Sequence, residues 1–170
     1  RIFPVEPGQI LEPPVPTPGF PSDALDLSGS TTLADAARLA GFVPRLPANM
    51  DPPQAVFYQE LDGVPLVILV WMDATDPGSP GMALYEIGKG DVFSKSRVSS
   101  IEETDVHGDW ALWLEGPYQV ETLDGRREQC RIVFGHTLVW TSDGLTYRLE
   151  TTLGLEEARQ VAESLAPWFP

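Results

Sequence analysis

The 170-residue chain is long enough to bury one hydrophobic core, and its 42% apolar and 21% charged residues are ordinary for a globular domain. A formal net charge of −14 argues against nucleic acid and anionic lipid as partners, since both call for clustered Lys and Arg. The single cysteine, Cys130, excludes an intrachain disulfide and is expected to be a small residue in or beside a strand.

No run approaches the ~20 apolar residues of a membrane span. The longest, VPLVILVWM from Val64 to Met72, is expected to be a buried strand. The chain begins at Arg1 rather than Met and is expected to be processed or truncated, with no signal peptide legible within these residues and membrane contact expected only through a segment upstream of Arg1.

The N-terminal run PVEPGQILEPPVPTPGFP, Pro4 to Pro21, favours extended polyproline II because proline fixes φ and cannot donate to a ladder. At roughly 3.1 Å per residue, about eighteen residues reach roughly 55 Å. Residues 1–29 are therefore expected to be a tether or strap, and residues 30–170 a single domain.

That domain should open with a helix over Leu33 to Ala40. Thr32 can cap it, Asp35 completes a capping-box-like pattern, and Gly41 stops it. Val43 to Gln54 should be extended and broken by its prolines. Ala55 to Leu61 and Val64 to Met72 flank Asp62-Gly63, a strong hairpin signal, and the second strand is apolar enough to be covered on both faces. A loop at Asp73 to Gly81 leads to a strand at Met82 to Ile87, and Gly88 to Ser96 should be irregular. Val98 to Val106 and Ala111 to Glu115 make another hairpin, with weaker strands near Tyr118 to Leu123 and Cys130 to Phe134.

The run GHTLVWTSDGLTYRLE, Gly135 to Glu150, is two strands about a Ser-Asp-Gly turn. Leu138, Trp140, Leu145, Tyr147 and Leu149 should face a core, while Thr137, Thr146, Arg148 and Glu150 should face water. A helix over Leu155 to Leu165 closes the chain, with Glu156 and Glu157 in the first turn, where the helix dipole favours acids. The expected fold class is α+β: a curved, mainly antiparallel sheet of about seven to nine strands, with an N-terminal and a C-terminal helix packed on one face.

The most tempting chemistry lies in IEETDVHGDW, Ile101 to Trp110. On one continuous strand Glu103, Asp105, His107 and Asp109 would share a face, and three carboxylates with an imidazole suit a divalent metal or acid–base work. His107-Gly108 also fits a two-residue hairpin turn, which would destroy that face, and the turn is the preferred reading. Asp73 and Asp76 lack the spacing of a calcium loop and are expected to be solvated loop acids. His136 is expected at a surface or edge, and Arg126 and Arg127 in a solvated turn. No phosphate-binding glycine motif and no nucleophile elbow occurs. No catalytic residue and no cofactor is expected.

The order Val106-His107-Gly108, Trp113-Leu114-Glu115-Gly116, Thr137-Leu138-Val139-Trp140, Asp143-Gly144, Leu145 to Leu149 and Ala162 to Leu165 resembles an uncharacterised domain family of bacterial extracytoplasmic proteins. Its members sit on anti-sigma-factor-like membrane proteins and on lipoproteins. The resemblance covers roughly Val98 to Leu165 and more loosely the helix at Leu33. It falls on turn and core positions, so it implies a fold and a location and brings no catalytic residues. Gly154 stands where the family favours a Ser or Thr cap, a departure that costs some capping.

The resemblance implies a non-enzymatic extracytoplasmic sensor or interaction domain of a membrane-anchored or secreted protein, in one version the outer part of an anti-sigma-factor-like regulator. Its partner would meet the polar sheet face or the loops at Asp73 to Gly81 and Gly88 to Ser96. The alternative is a carrier of a lipid or small apolar ligand, with Trp71, Trp110, Trp113 and Trp140 lining a cavity. A metal-dependent hydrolase built on Glu103 to Asp109 is the remote alternative.

Overall fold

The computed structural model describes residues 29–76, 79–89, 93–96, 100–116, 118–124, 127–133 and 135–170. The expected tether falls almost wholly on residues 1–28, outside the described residues. In chain order the elements are α1 (Leu33–Ala40), β1 (Arg45–Pro47), β2 (Ala55–Leu61), β3 (Val64–Met72), β4 (Pro80–Ile87), β5 (Phe93–Ser96), β6 (Ser100–Val106), β7 (Asp109–Glu115), β8 (Tyr118–Asp124), β9 (Arg127–Val133), β10 (His136–Ser142), β11 (Leu145–Thr151), α2 (Leu155–Glu163) and β12 (Leu165–Pro167).

The class is α+β and mainly antiparallel β. A seven-stranded sheet runs β2-β3-β4-β11-β10-β7-β6, beside a three-stranded sheet β5-β8-β9 and a two-stranded sheet β1-β12. Two-residue turns fix three of the six neighbour pairs of the large sheet. Asp62-Gly63, His107-Gly108 and Asp143-Gly144 have φ of 49° and 78°, 53° and 83°, and 52° and 78°. Two successive positive φ values mark the type I′ turn, whose twist matches that of the strands it joins. Glycine takes the second position because it adopts that φ without strain. The join between β4 and β11 has no such help. It pairs Leu84 with Leu149, Tyr85 with Arg148 and Glu86 with Tyr147, over 60 residues apart in the chain.

Both helices pack on one face, as expected. Ala36 of α1 and Ala158 and Ala162 of α2 meet Leu69, Leu84, Trp113 and Leu138 of the sheet in one buried cluster. The Thr32 hydroxyl accepts the Asp35 N–H at 3.1 Å, and Gly41, at φ 72°, donates to the Ala37 carbonyl at 3.1 Å. α2 stops short of its expected end. Ser164 turns its N–H back to Gln160 and Val161, and Leu165 enters β12 opposite Pro47. Pro167 keeps Ala166 extended, since the residue before a proline is pushed out of the helical region, and so favours the short strand over a longer helix.

Other expectations are corrected. The stretch 88–96 is not wholly irregular, since Phe93–Ser96 pairs with β8. The proline-broken segment after α1 contains β1, where Pro47 ends a strand that tolerates it. The second face of β10 and β11 faces water only toward the turn, where Thr141 is exposed and Thr146 half-buried. Thr137 and Arg148 are 0% and 1% exposed, and Tyr118 of β8 bonds to both across the intersheet space. Alternation marks two faces but does not say that another sheet covers the polar one.

The His107-Gly108 turn supplies a clean test. A Cβ on Gly108 meets nothing within 4 Å, so Gly108→Ala should cost only the backbone penalty of a positive φ, about 1–2 kcal/mol. His107→Asn keeps a residue that tolerates the positive φ but loses the ring's bond to the Glu163 carbonyl, so it should cost at most about 1 kcal/mol. Urea unfolding of both variants measures the difference.

Candidate functional site

The four sequence candidates do not form one group. Glu103 and Asp105 lie on β6, His107 occupies the turn, and Asp109 begins β7 opposite Val106. Among the described residues no set of three or more His, Cys, Asp or Glu is placed to hold a metal ion. The turn broke the single face that the metal reading required.

Two of the four instead hold down a helix. The His107 ring donates from Nε2 to the Glu163 carbonyl at 2.8 Å; a carbonyl only accepts, so the proton sits on that nitrogen. Arg159 of α2 donates from Nε to the Asp105 carbonyl at 2.9 Å and from Nη2 to its carboxylate at 3.3 Å. The same guanidinium lies 3.6 Å from Glu156 and 3.5 Å from Glu163. These contacts are solvent-exposed, so each contributes at most about 1 kcal/mol, and their role is to set where α2 sits.

The buried ionisable groups lie elsewhere. Glu86 is fully buried on the helix side of β4 and accepts the Arg45 N–H at 2.8 Å through Oε1. Burial pushes its carboxyl up to about 8, against the opposing pull of the Arg45 N–H and charge. Its cross-strand partner Tyr147 is 1% exposed and is pushed up to about 12, chiefly by burial and then by the charge of Glu86. Glu86 Oε2 and the Tyr147 hydroxyl have no hydrogen-bond partner among the described residues. The Arg45 guanidinium reaches outward to Asp143 in the β10–β11 turn. Sequence reading missed this group, although Glu86 is the only acid in the apolar run Met82 to Ile87 and so carried a signal.

On the opposite face Arg148 donates to Glu150 at 2.7 Å and to the Tyr118 hydroxyl at 2.8 Å. Tyr118 in turn donates to the Thr137 hydroxyl, and Tyr85 donates to Glu150 at 3.4 Å. This is a chain of paired groups that fixes β8 against the large sheet.

The remaining candidates fall into structural places. Asp73 accepts from the Thr75 hydroxyl and N–H, each at 2.6 Å, and from the Asp76 N–H at 3.1 Å, which holds its carboxyl below the usual range. His136 is only partly at the surface and is not on an edge strand. It begins β10, inside the large sheet, half-buried with its ring 5.1 Å from that of Trp113. Trp71, Trp113 and Trp140 are 5%, 3% and 3% exposed in the helix-side core, whereas Trp110 is 61% exposed and apart from them. Cys130 lies on β9 and Arg127 begins it; Arg126 lies outside the described residues.

The surface is most open at β6, the last strand of the large sheet. Ser100, Ile101, Glu102 and Glu103 are all exposed, Ile101 at 56%. Asp105 pairs with Trp110 and Ile101 with Leu114, so Ile101 and Trp110 lie on the same face of this hairpin. No family model, curated protein or solved structure matches the chain.

Two predictions follow from the buried groups. Between pH about 4.5 and about 8 the folded chain keeps a proton on Glu86 that the unfolded chain has released. Stability should therefore fall as pH rises through that window, by at most about 1.4 kcal/mol per unit from this group. Glu86→Gln, which keeps an acceptor for Arg45, should flatten that slope in urea titrations from pH 5 to 8; an unchanged slope would remove Glu86 as its source. Arg148→Ala leaves the part-buried Glu150 without this partner and the Tyr118 hydroxyl without its donor, and should cost about 3 kcal/mol.

Proposed function

We propose that this domain is a non-enzymatic interaction or sensor module, working outside the cytoplasmic membrane as part of an anchored or secreted bacterial protein. The observation that carries the interaction half is the open β6–β7 corner. Two large apolar side chains, Ile101 and Trp110, stand 56% and 61% exposed on one hairpin. Lone exposed hydrophobes are common, but two on one face of a sheet-terminal hairpin make a docking corner. The wall behind it is rigid by construction, with buried side chains on both faces of β3, β4, β10 and β11. The polar sheet face and the loops flanking β4 are weaker choices, because the polar face lies under the second sheet.

The extracytoplasmic half of the proposal is supported by the family resemblance of Val106 to Leu165. A version in which the domain is the outer part of an anti-sigma-factor-like regulator adds a membrane helix and a cytoplasmic module outside these 170 residues.

The test has two parts. Protease added to intact cells should degrade the native, tagged protein, and protection equal to that of a cytosolic marker would contradict the location. Ile101→Ser and Trp110→Ser should change stability by no more than about 0.5 kcal/mol, because neither side chain is in the core. The same variants should lose the cellular output of the intact protein; unchanged output would contradict the interaction role.

A further inference from the structure

We propose that the free edge of β6 binds an extended segment of a different protein by strand addition, and that the segment carries two consecutive basic residues followed by an apolar one. This rests on the reading of the domain as an interaction module and names how it interacts.

The two edges of the large sheet differ. On β2 part of the outward row is already used: Tyr58 N–H donates to the Gly29 carbonyl and Thr31 N–H to the Val56 carbonyl, both at 2.9 Å. On β6 the phase of the ladder follows from the turn. Val106 and Asp109 flank a two-residue loop, so they form a hydrogen-bonded pair, and Thr104, Glu102 and Ser100 also point their backbone groups at β7. The N–H and C=O of Ile101, Glu103 and Asp105 therefore point away from the sheet. The Asp105 carbonyl is taken by Arg159 at 2.9 Å, which agrees with that phase and ends the open stretch. Among the described residues Ile101 and Glu103 are left as exposed ladder positions, each offering one donor and one acceptor. An extended chain is the ligand that satisfies such a row.

Charge selects among occupants. Glu102 and Glu103 are consecutive and exposed, so one carboxylate stands on each face of the edge. A second copy is disfavoured, because antiparallel registers centred on the exposed stretch set Glu102 against Glu102 or Glu103 against Glu103. The net charge of −14 opposes self-association further. A foreign strand running antiparallel meets Glu103 first, then Glu102, then Ile101, so its complementary order is basic, basic, apolar. The Trp110 ring, on the same face as Glu103, gives the first cation a second surface.

The experiment is a titration of the 15N-labelled chain with a capped nonapeptide centred on Lys-Arg-Val, beside a control centred on Glu-Glu-Val. Amide shifts should concentrate on residues 100–105 and the Trp110 indole with the basic peptide alone, and should weaken as salt is added. Glu102→Lys with Glu103→Lys should lower affinity at least tenfold. Glu103→Pro should abolish binding while keeping the β6–β7 ladder, since proline removes an N–H that points outward. Ile101→Pro makes the same test at the other open position if the first variant does not fold. Shifts elsewhere, equal binding of the acidic control, or binding untouched by either proline would overturn the proposal. Concentration-dependent broadening at Ile101 and Glu103 without peptide would instead put a second copy on the edge and also overturn it. Failure of the peptide on a protein proven to lie outside the membrane sinks strand addition alone, whereas a cytosolic protein that binds the peptide sinks the location alone.

Discussion

The fold depends on the pairing of β4 with β11. Every other neighbour pair in the large sheet belongs either to the group β2-β3-β4 or to the group β11-β10-β7-β6, and this one ladder joins the two. Its register also decides where the difficult polar groups go. Glu86 beside Tyr147 falls on the helix side, and Tyr85 beside Arg148 falls on the side of the second sheet. A slip by one residue would exchange those faces, placing Arg148 among tryptophans and Leu149 against Tyr118. The buried polar residues therefore add specificity to a ladder that hydrophobic pattern alone would leave more tolerant, because each has partners on one side only.

That arrangement explains how the molecule can combine a closed body with an open end. Helices and the β1–β12 strap close one face, with the Arg45 N–H bonded to Glu86 as the strap passes over β4. β8 closes the other through Tyr118. The middle of β2 is covered by the chain at Gly29 and Thr31. Only toward β6 does the sheet present exposed backbone and large apolar side chains together among the described residues. His107, once a candidate metal ligand with Glu103, Asp105 and Asp109, and Arg159 instead mark the end of that open stretch by pinning α2 beside it.

What sequence could and could not reveal follows the range of the interactions. Asp62-Gly63, His107-Gly108 and Asp143-Gly144 are local signals and gave their hairpins directly, as Thr32 and Gly41 gave α1 its two ends. The β4–β11 join has no local signal, because its partners are brought together only by the finished sheet. β1 and β12 are three residues each and contain prolines, so they carry neither alternation nor propensity. Thr137, Arg148 and Glu150 looked like a wet face because polar alternation is the same whether water or a second sheet lies beyond it. Of the site, the turn was legible and the open edge was not, since an edge is defined by the strand that fails to arrive.

Amide hydrogen exchange, resolved residue by residue, tests the central claim most directly. If the β4–β11 ladder is the core of the domain and β6 its free edge, ladder amides of β4 and β11 should exchange only through global unfolding, while those of Ile101 and Glu103 exchange orders of magnitude faster. Slow exchange at Ile101 and Glu103, or fast exchange along β4 and β11, would contradict it.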